Sequence, residues 1–409
     1  MCRQVNDAVG SSRLSGARSE TDTDGAACER ASTAGMSTVE RMPPGHPSGP
    51  RTMRAALLLG VGGPEMLEVR DDVPVPEVAP GEVLVRVAAC GVNNTDINTR
   101  VGWYSRSVTT ATTGSAYREA SSHDAGWSRG GLTYPRIQGA DVVGAVTDVG
   151  SGVPDDLIGR RVLIDPWLRA GHHSKDTQAA GYLGSERDGG FAEYCSVPRE
   201  NVHPVSSGLS DVELATFACS WSTAEHMLQR VALRSGETIA VPGASGGVGS
   251  ALIQLAKLRG ARVVAVTSAA KLDDVAALGA DRVVTRHGDR VPQDAMEANG
   301  GLFHAVADVV GGPDFGGWLE ALRRGGRYVT SGAIAGPMVE LDLRTLYLKD
   351  LTLHGATVYE PKVFSDLVGH IEGGRVRALV GGVYRLEDIH SAQEAFLAKR
   401  HIGSLVITI

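Results

Sequence analysis

The segment Val241-Pro242-Gly243-Ala244-Ser245-Gly246-Gly247-Val248-Gly249 decides the fold of this chain. It follows a short apolar run, Thr238–Val241, and opens into Ser250–Arg259, whose apolar residues recur at helical spacing. A glycine-rich turn between a strand and a helix is the setting in which a dinucleotide's pyrophosphate is held. Gly243 permits the tight turn off the strand. Gly246 and Gly247 let backbone approach a phosphate without a Cβ clash, and Gly249 lets the helix pack closely. Ala244, Ser245 and Val248 complete the cradle. The helix start supplies free N–H groups and the positive end of its dipole.

The alternation continues beyond the loop. Arg262–Val266 reads as a strand, Lys271–Leu278 as a helix ending at Gly279, and Arg282–Val284 as a strand. Ala305–Val310, Phe315–Leu322 and Arg327–Thr330 then read as strand, helix and strand. This order predicts an α/β unit, a doubly wound parallel sheet of the Rossmann type, over residues 209–348. The residue after the second strand separates NAD from NADP. An acid there binds the ribose hydroxyls and repels a 2′-phosphate. Here the position is neutral Thr267, followed by Ser268, which can donate to a phosphate, and Lys271, which can pair with one. NADP(H) is the cofactor expected; the competing reading makes Lys271 a solvated lysine at a helix start, with loose cofactor choice.

Ahead of this unit, residues 53–208 read as short strands and turns. Glu82-Val83-Leu84-Val85-Arg86-Val87 alternates polar and apolar, the period of a half-buried strand. Asp141–Val149 and Arg161–Asp165 are further strands, so this half is mostly β and rolled or barrel-like. Ser105–Gly131 is rich in Ser, Thr, Ala and Gly without periodicity, and residues 105–133 are either a disordered surface insertion or a lid over a site. After the parallel unit, residues 349–409 return to short strands plus one amphipathic helix, Leu386–Ala398, and a closing strand, Ser404–Ile409. They are expected to fold back onto the first domain. Residues 1–52 have almost no apolar periodicity and read as a disordered tail; Met53-Arg54-Ala55-Ala56-Leu57 has the look of a natural start.

Bulk composition narrows the function. With 409 residues, 42% hydrophobic and 21% charged, the chain can build two domains with a sizeable core. A net charge of −7 gives no electrostatic reason for nucleic acid or anionic membrane as partner. No apolar stretch is long enough for a transmembrane helix, and no signal core opens the chain. The five cysteines are scattered, with no C-x-x-C, which argues against a disulfide framework or a four-cysteine zinc lobe. A reducing, cytoplasmic location and a small-molecule substrate are expected.

From Met53 to Ile409 the chain resembles the medium-chain dehydrogenase/reductase superfamily. Within Gly236–Lys257 it is similar to the quinone oxidoreductase branch, through Gly236-Glu237, Ala244-Ser245-Gly246-Gly247-Val248-Gly249 and Gln254-Leu255-Ala256-Lys257. The resemblance implies a GroES-like catalytic domain beside the Rossmann domain, a cleft between them, hydride transfer at the nicotinamide C4, and a homodimer. It also implies Thr223 beside the nicotinamide, and Ser331, Gly332 and Ala333 on that side of the cofactor.

The superfamily includes zinc alcohol dehydrogenases, with Cys-Gly-x-Cys-His-Thr-Asp and Gly-His-Glu. This chain has Cys90-Gly91-Val92-Asn93-Asn94-Thr95-Asp96 and Gly139-Ala140-Asp141. Asn93 and Ala140 replace two ligands, a carboxamide suits Zn²⁺ poorly, and Cys219 alone remains of three. The stretch of the structural zinc lobe, Pro166–Arg187, holds His172-His173 but no cysteine. No metal is expected, although a rearranged site from Asp141, Cys219 and Asp96 or a histidine is an open alternative.

Without zinc, hydrogen-bond donors must hold a developing oxyanion. The resemblance points to Asn93 and Thr95, Thr95 standing where zinc enzymes place a proton-relay hydroxyl. A second reading makes Asn93 a turn residue bonding its own backbone. Asp96 is expected to order its loop. Tyr104 is either a proton donor or a packing residue. Three functions follow: a zinc-free NADPH-dependent reductase of a quinone, enone or related activated carbonyl compound; an alcohol or aldehyde dehydrogenase with an atypical zinc site; and a non-catalytic NADPH-binding protein.

Overall fold

The computed structural model describes residues 51–112, 114–126, 131–169 and 180–409. The expectation for the tail 1–52 lies almost wholly outside these residues, as does the His172-His173 pair. Within them, Thr52 already opens the first strand, Thr52–Leu58, which pairs antiparallel with Leu67–Pro74.

Six parallel strands form one sheet, in the order Arg282–Thr285, Arg262–Thr267, Thr238–Pro242, Phe303–Asp308, Leu322–Thr330 and Thr352–Gly355. Numbered along the chain this is 3-2-1-4-5-6, the doubly wound order with its reversal beside the first strand. The middle strands are near-continuous apolar runs because helices cover both faces. Ile239, Ala240 and Val241 are fully buried, as are Val263, Val264 and Ala265. The glycine loop leaves Thr238–Pro242 at its carboxyl end, where the reversal opens a crevice, and enters the helix Gly247–Leu258.

A second sheet is mixed and twisted around its longest strand, Glu82–Val92. Its path runs Val202–Pro204, Arg161–Ile164, Asp141–Val149, Glu82–Val92, Ser404–Thr408 and Val380–Arg385, with Tyr194–Pro198 also pairing on Glu82–Val92. Val83, Val85 and Val87 point into the core while Arg86 faces solvent. The late strand Ser404–Thr408 lies antiparallel to Glu82–Val92, as a return of the chain to its first half requires.

Three expectations are corrected. The return begins after residue 355, not at 349: Thr352–Gly355 is the sixth strand of the parallel sheet, bonded to Leu322–Thr330. The returning part has two longer helices rather than one. Pro361–Glu372 buries Val363, Phe364, Leu367, Val368 and Ile371, a one-faced helical pattern, with proline at its first position where no N–H is needed. The insertion is also not structureless where it is described. Val108, Ala116 and Ala125 are buried, and a short 3₁₀ turn spans Ala116–Arg118. Ser105 Oγ accepts from Ser121 N–H at 3.0 Å, and Trp103 Nε1 donates to the Thr110 carbonyl at 3.1 Å. Thr112 N–H donates to the Ile334 carbonyl at 3.0 Å, which ties the insertion to the loop after the fifth parallel strand.

Candidate functional site

The glycine loop is shaped by its own steric demands. Gly243 has φ +71°, a region open to glycine at no cost. A Cβ on Gly249 would stand 2.3 Å from the Gly243 carbonyl oxygen and 2.7 Å from Ala244 Cα, so only glycine lets the helix begin this close to the turn. A Cβ on Gly247 would stand 2.4 Å from Ser220 Oγ; its bare backbone therefore makes room first for the helix Ala218–Arg230. Around Gly246 the nearest atom to such a Cβ is 3.8 Å away, leaving open space over the helix start. Ala244 N–H donates to the Val266 carbonyl at 3.0 Å, which fixes the loop against the second strand. This cradle fits a dinucleotide's phosphates: a bare helix N-terminus faces open space that a side chain would fill.

At the end of the second strand Thr267 is buried and its Oγ1 has no hydrogen-bond partner among the described residues. Ser268 is half-buried and begins the turn to Lys271. The Lys271 ammonium donates to the carbonyls of Lys399 at 2.8 Å and His401 at 2.6 Å. It is therefore not the solvated lysine of one reading, and two of its three protons already serve main-chain acceptors. Thr223 lies half-buried on the helix Ala218–Arg230. Ser331 Oγ bonds Met227 Sδ at 3.2 Å from the next turn of that helix. The Gly332 carbonyl accepts from Thr330 Oγ1 at 2.9 Å, and Ala333 packs over Gly311.

Asn93 precedes the short helix Asn94–Arg100, with its side chain turned into the protein. Its hydrogen bonds reach beyond its own loop. Its Nδ2 donates to Asp141 Oδ2 at 2.9 Å, and its Oδ1 accepts from Ser220 Oγ at 3.4 Å, so the amide joins the strand Asp141–Val149 to the helix Ala218–Arg230 from its place at the start of the helix Asn94–Arg100. One Nδ2 proton is committed to a carboxylate; the other remains for a substrate oxygen. Asp141 Oδ1 also accepts from Cys219 N–H. Asp96 orders its loop as expected: Oδ2 takes Asn93 N–H at 2.7 Å and Oδ1 takes Gly139 N–H at 3.2 Å. Burial lifts both Asp141 and Asp96 to about 7, against the hydrogen bonds that favour their ionised forms.

Thr95 Oγ1 is buried and unpartnered among the described residues. Tyr104 shares a hydrogen bond with Asn98 and lies near Cys219 and Asp96, so it stands beside this group; burial raises its pKa and keeps the phenol protonated. Tyr182, which sequence reasoning missed, donates its hydroxyl to Cys219 Sγ at 3.0 Å. Nothing in the residues around Tyr182 signals this; the contact spans two distant segments.

The residues present do not fit zinc. Where a cysteine and a histidine would ligate, Asn93 is bound to a carboxylate and Ala140 has no donor atom. Cys219, the remaining ligand type, has its Sγ accepting the Tyr182 hydroxyl, and one ligand of three does not hold the ion. The rearranged set is not assembled either: among the described residues no three His, Cys, Asp or Glu side chains converge as a metal centre.

Comparisons with known proteins bear on both halves. Residues 79–207 match the alcohol dehydrogenase GroES-like domain and residues 247–373 the zinc-binding dehydrogenase domain. An acryloyl-coenzyme A reductase of Metallosphaera sedula is 30% identical over 87% of this chain and 100% of its own length. A quinone oxidoreductase of Rattus norvegicus is 25% identical over 88% of this chain and 99% of its own. The crystal structure of a putative alcohol dehydrogenase from Sinorhizobium meliloti is 48% identical, with a TM-score of 0.79 over 88% of this chain and 98% of that one.

Proposed function

The chain belongs to the medium-chain dehydrogenase/reductase superfamily and is an NAD(P)H-dependent oxidoreductase, and from that premise we propose that it reduces an activated carbonyl compound, a quinone, enone or enoyl thioester, with NADPH and without zinc. The observation that carries this reading is Asn93. It stands at a ligand position of the zinc enzymes with its amide bonded to buried Asp141, beside Ala140. The relatives named as acryloyl-coenzyme A and quinone reductases support the substrate class.

The bound dinucleotide supplies the hydride. The protein's part is to orient the acceptor and manage charge at its oxygen. Thr95 Oγ1 and the second Nδ2 proton of Asn93 are donors for that oxygen, each such donor contributing on the order of 3 kcal/mol to a developing oxyanion. Water, or Tyr104 beside Asn98, returns a proton to the reduced product. Ser331, Gly332 and Ala333 border the nicotinamide side, with the insertion pinned to the same loop through Thr112.

Neutral Thr267 with an unpartnered hydroxyl, and cationic side chains beyond it, support NADP(H) over NAD(H). The edge strand Thr352–Gly355 and the exposed Met338, Leu343, Tyr347 and Leu348 support a homodimer. Unbridged Cys90, Cys195 and Cys219 support a reducing, cytoplasmic setting.

The test is a screen of NADPH and NADH oxidation against quinones, enones, enoyl thioesters and aldehydes, with metal analysis of the same sample. Turnover of an activated acceptor by metal-free protein is expected. Stoichiometric zinc with chelator-sensitive aldehyde reduction would replace this reading with an alcohol dehydrogenase. Tight NADPH binding without turnover of any acceptor would leave a binding protein.

A further inference from the structure

A phenol stands on the one sulfur this chain keeps from the zinc enzymes' ligand set. Tyr182 lies in the short strand Gly181–Tyr182, paired with Trp167–Leu168, and its N–H donates to Glu186 Oε2 at 2.9 Å. The Trp167 ring meets the phenol edge-on at 4.7 Å between centres. Trp167 also packs edge-on against Tyr359, whose hydroxyl donates to Asp165 Oδ1 at 2.9 Å. Tyr182 is 5% exposed, so packing holds the ring while the hydroxyl is aimed at Cys219 Sγ, 3.0 Å away.

Cys219 in turn belongs to the Asn93 group. Its N–H donates to Asp141 Oδ1, and the other oxygen of that carboxylate takes the Asn93 amide at 2.9 Å. Cys219 is half-buried at the start of the helix Ala218–Arg230. It therefore meets Tyr182 through its sulfur and the carboxylate that holds Asn93 through its amide. A thiol is a weak acceptor, so a phenol resting on it gains little. A carbonyl oxygen gathering negative charge is a far stronger one. The bond to sulfur is thus exchanged at small cost, and its direction points the phenolic proton at the space beside Cys219 and Asn93.

We propose that the Tyr182 hydroxyl is a donor to the oxygen of the bound acceptor, joining Asn93 and Thr95 and polarising the carbonyl from the sulfur on which the zinc enzymes hold their ion. The proposal rests on the zinc-free reductase reading above. The Tyr182 O–H bond is not broken. As the acceptor takes up hydride at its electrophilic carbon, negative charge collects on its oxygen, and the phenol's hydrogen bond strengthens with that charge.

Tyr182→Phe keeps the ring on Trp167 and removes only the hydroxyl. In metal-free protein, kcat for an enone or enoyl thioester is expected to fall on the order of a hundredfold to a thousandfold, the usual loss for a missing oxyanion donor, with NADPH affinity unchanged. Cys219→Ala removes the resting acceptor and leaves kcat near wild type. Unchanged kcat in Tyr182→Phe, or an equal loss in both variants, overturns the proposal. A spectroscopic arm reads donation without turnover: para-nitrophenolate bound beside NADP⁺ absorbs at shorter wavelength when its oxygen receives a hydrogen bond. A shift in wild type that is reduced in Tyr182→Phe sustains the donor, and equal spectra end it. If wild type turns over no activated acceptor, the reductase reading falls by itself while the phenolate arm still decides the donor; a wild type that takes up no phenolate either overturns both.

Discussion

Alanine at position 249 puts the cradle under a defined load. The added methyl would meet the Gly243 carbonyl oxygen at 2.3 Å and Ala244 at 2.7 and 2.9 Å. All of these are backbone atoms, so relief requires moving the turn against the helix by about 1 Å to reach ordinary contact. That turn is held by the Ala244 bond to Val266 and by the Gly243 carbonyl, which accepts Gly246 N–H at 3.3 Å. Overpacking of this kind costs about 1–3 kcal/mol, offset by up to about 1 kcal/mol of helix propensity gained over glycine. The net loss of about 1–2 kcal/mol lowers the melting temperature by several degrees in a domain of this size. Displaced loop amides also weaken NADPH binding. Gly246→Ala supplies the contrast: its methyl enters open space with no protein atom closer than 3.8 Å, so stability is kept while nucleotide affinity falls. Thermal scans and NADPH titrations of both variants read the two effects separately. A Gly249→Ala protein with wild-type melting and affinity, or a Gly246→Ala protein with wild-type affinity, would refute the steric account of the loop.

Other perturbations probe the neighbouring groups. Asn93→Ala leaves Asp141 buried with one hydrogen-bond donor fewer, so stability drops by about 1–3 kcal/mol and turnover falls; a variant matching wild type in denaturant titration contradicts the bridging role. Asp141 and Asp96 have folded pKa values near 7, above the unfolded value of 3.8. Their protonated forms are favoured in the folded state, so this contribution is full below about pH 4 and is lost as pH rises through 7. Melting curves between pH 5 and 8 should fall with pH, and fall less steeply in Asp141→Asn, where Asp96 still titrates. Tyr104→Phe is expected to lower kcat by about 10²-fold or more with little change in NADPH affinity; an unchanged kcat makes Tyr104 a packing residue.

The parallel sheet was legible because its strands are buried on both faces and its turns are marked by glycine. The run Arg262–Val266 and the strand observed over Arg262–Thr267 differ by one residue. The turn of the glycine loop is likewise local where Gly249 meets Gly243 and Ala244, while its contacts with Ser220, Val309, Val310, Gly403 and Ser404 come from distant segments. What could not be read is whatever depends on distant segments meeting. Tyr182 on Cys219, and Lys399 beside Asn94, join residues far apart in the chain, and no spacing rule links them. Lys271 was visible as a cation near a phosphate position, but its anchoring to the Lys399 and His401 carbonyls was not. The order in the described part of the insertion could not be read because Ser and Thr satisfy it through side-chain bonds, as between Ser105 and Ser121, rather than through a periodic apolar face.

The strand Ser404–Thr408 carries a consequence for biosynthesis. It fills the gap beside Glu82–Val92, and the whole parallel-sheet unit is translated between the two. During translation the early half must wait with an open sheet edge, vulnerable to pairing with a neighbouring nascent chain, while the parallel-sheet unit can complete most of its own strands. The same late segment brings Gly403 to Ser245 and Lys399 to Asn94. Closure of the early sheet and the docking of Gly403 on the glycine loop are thus one event on the ribosome. A nascent chain halted before residue 403 would lack both the Gly403 bond to Ser245 and the strand that closes the early sheet.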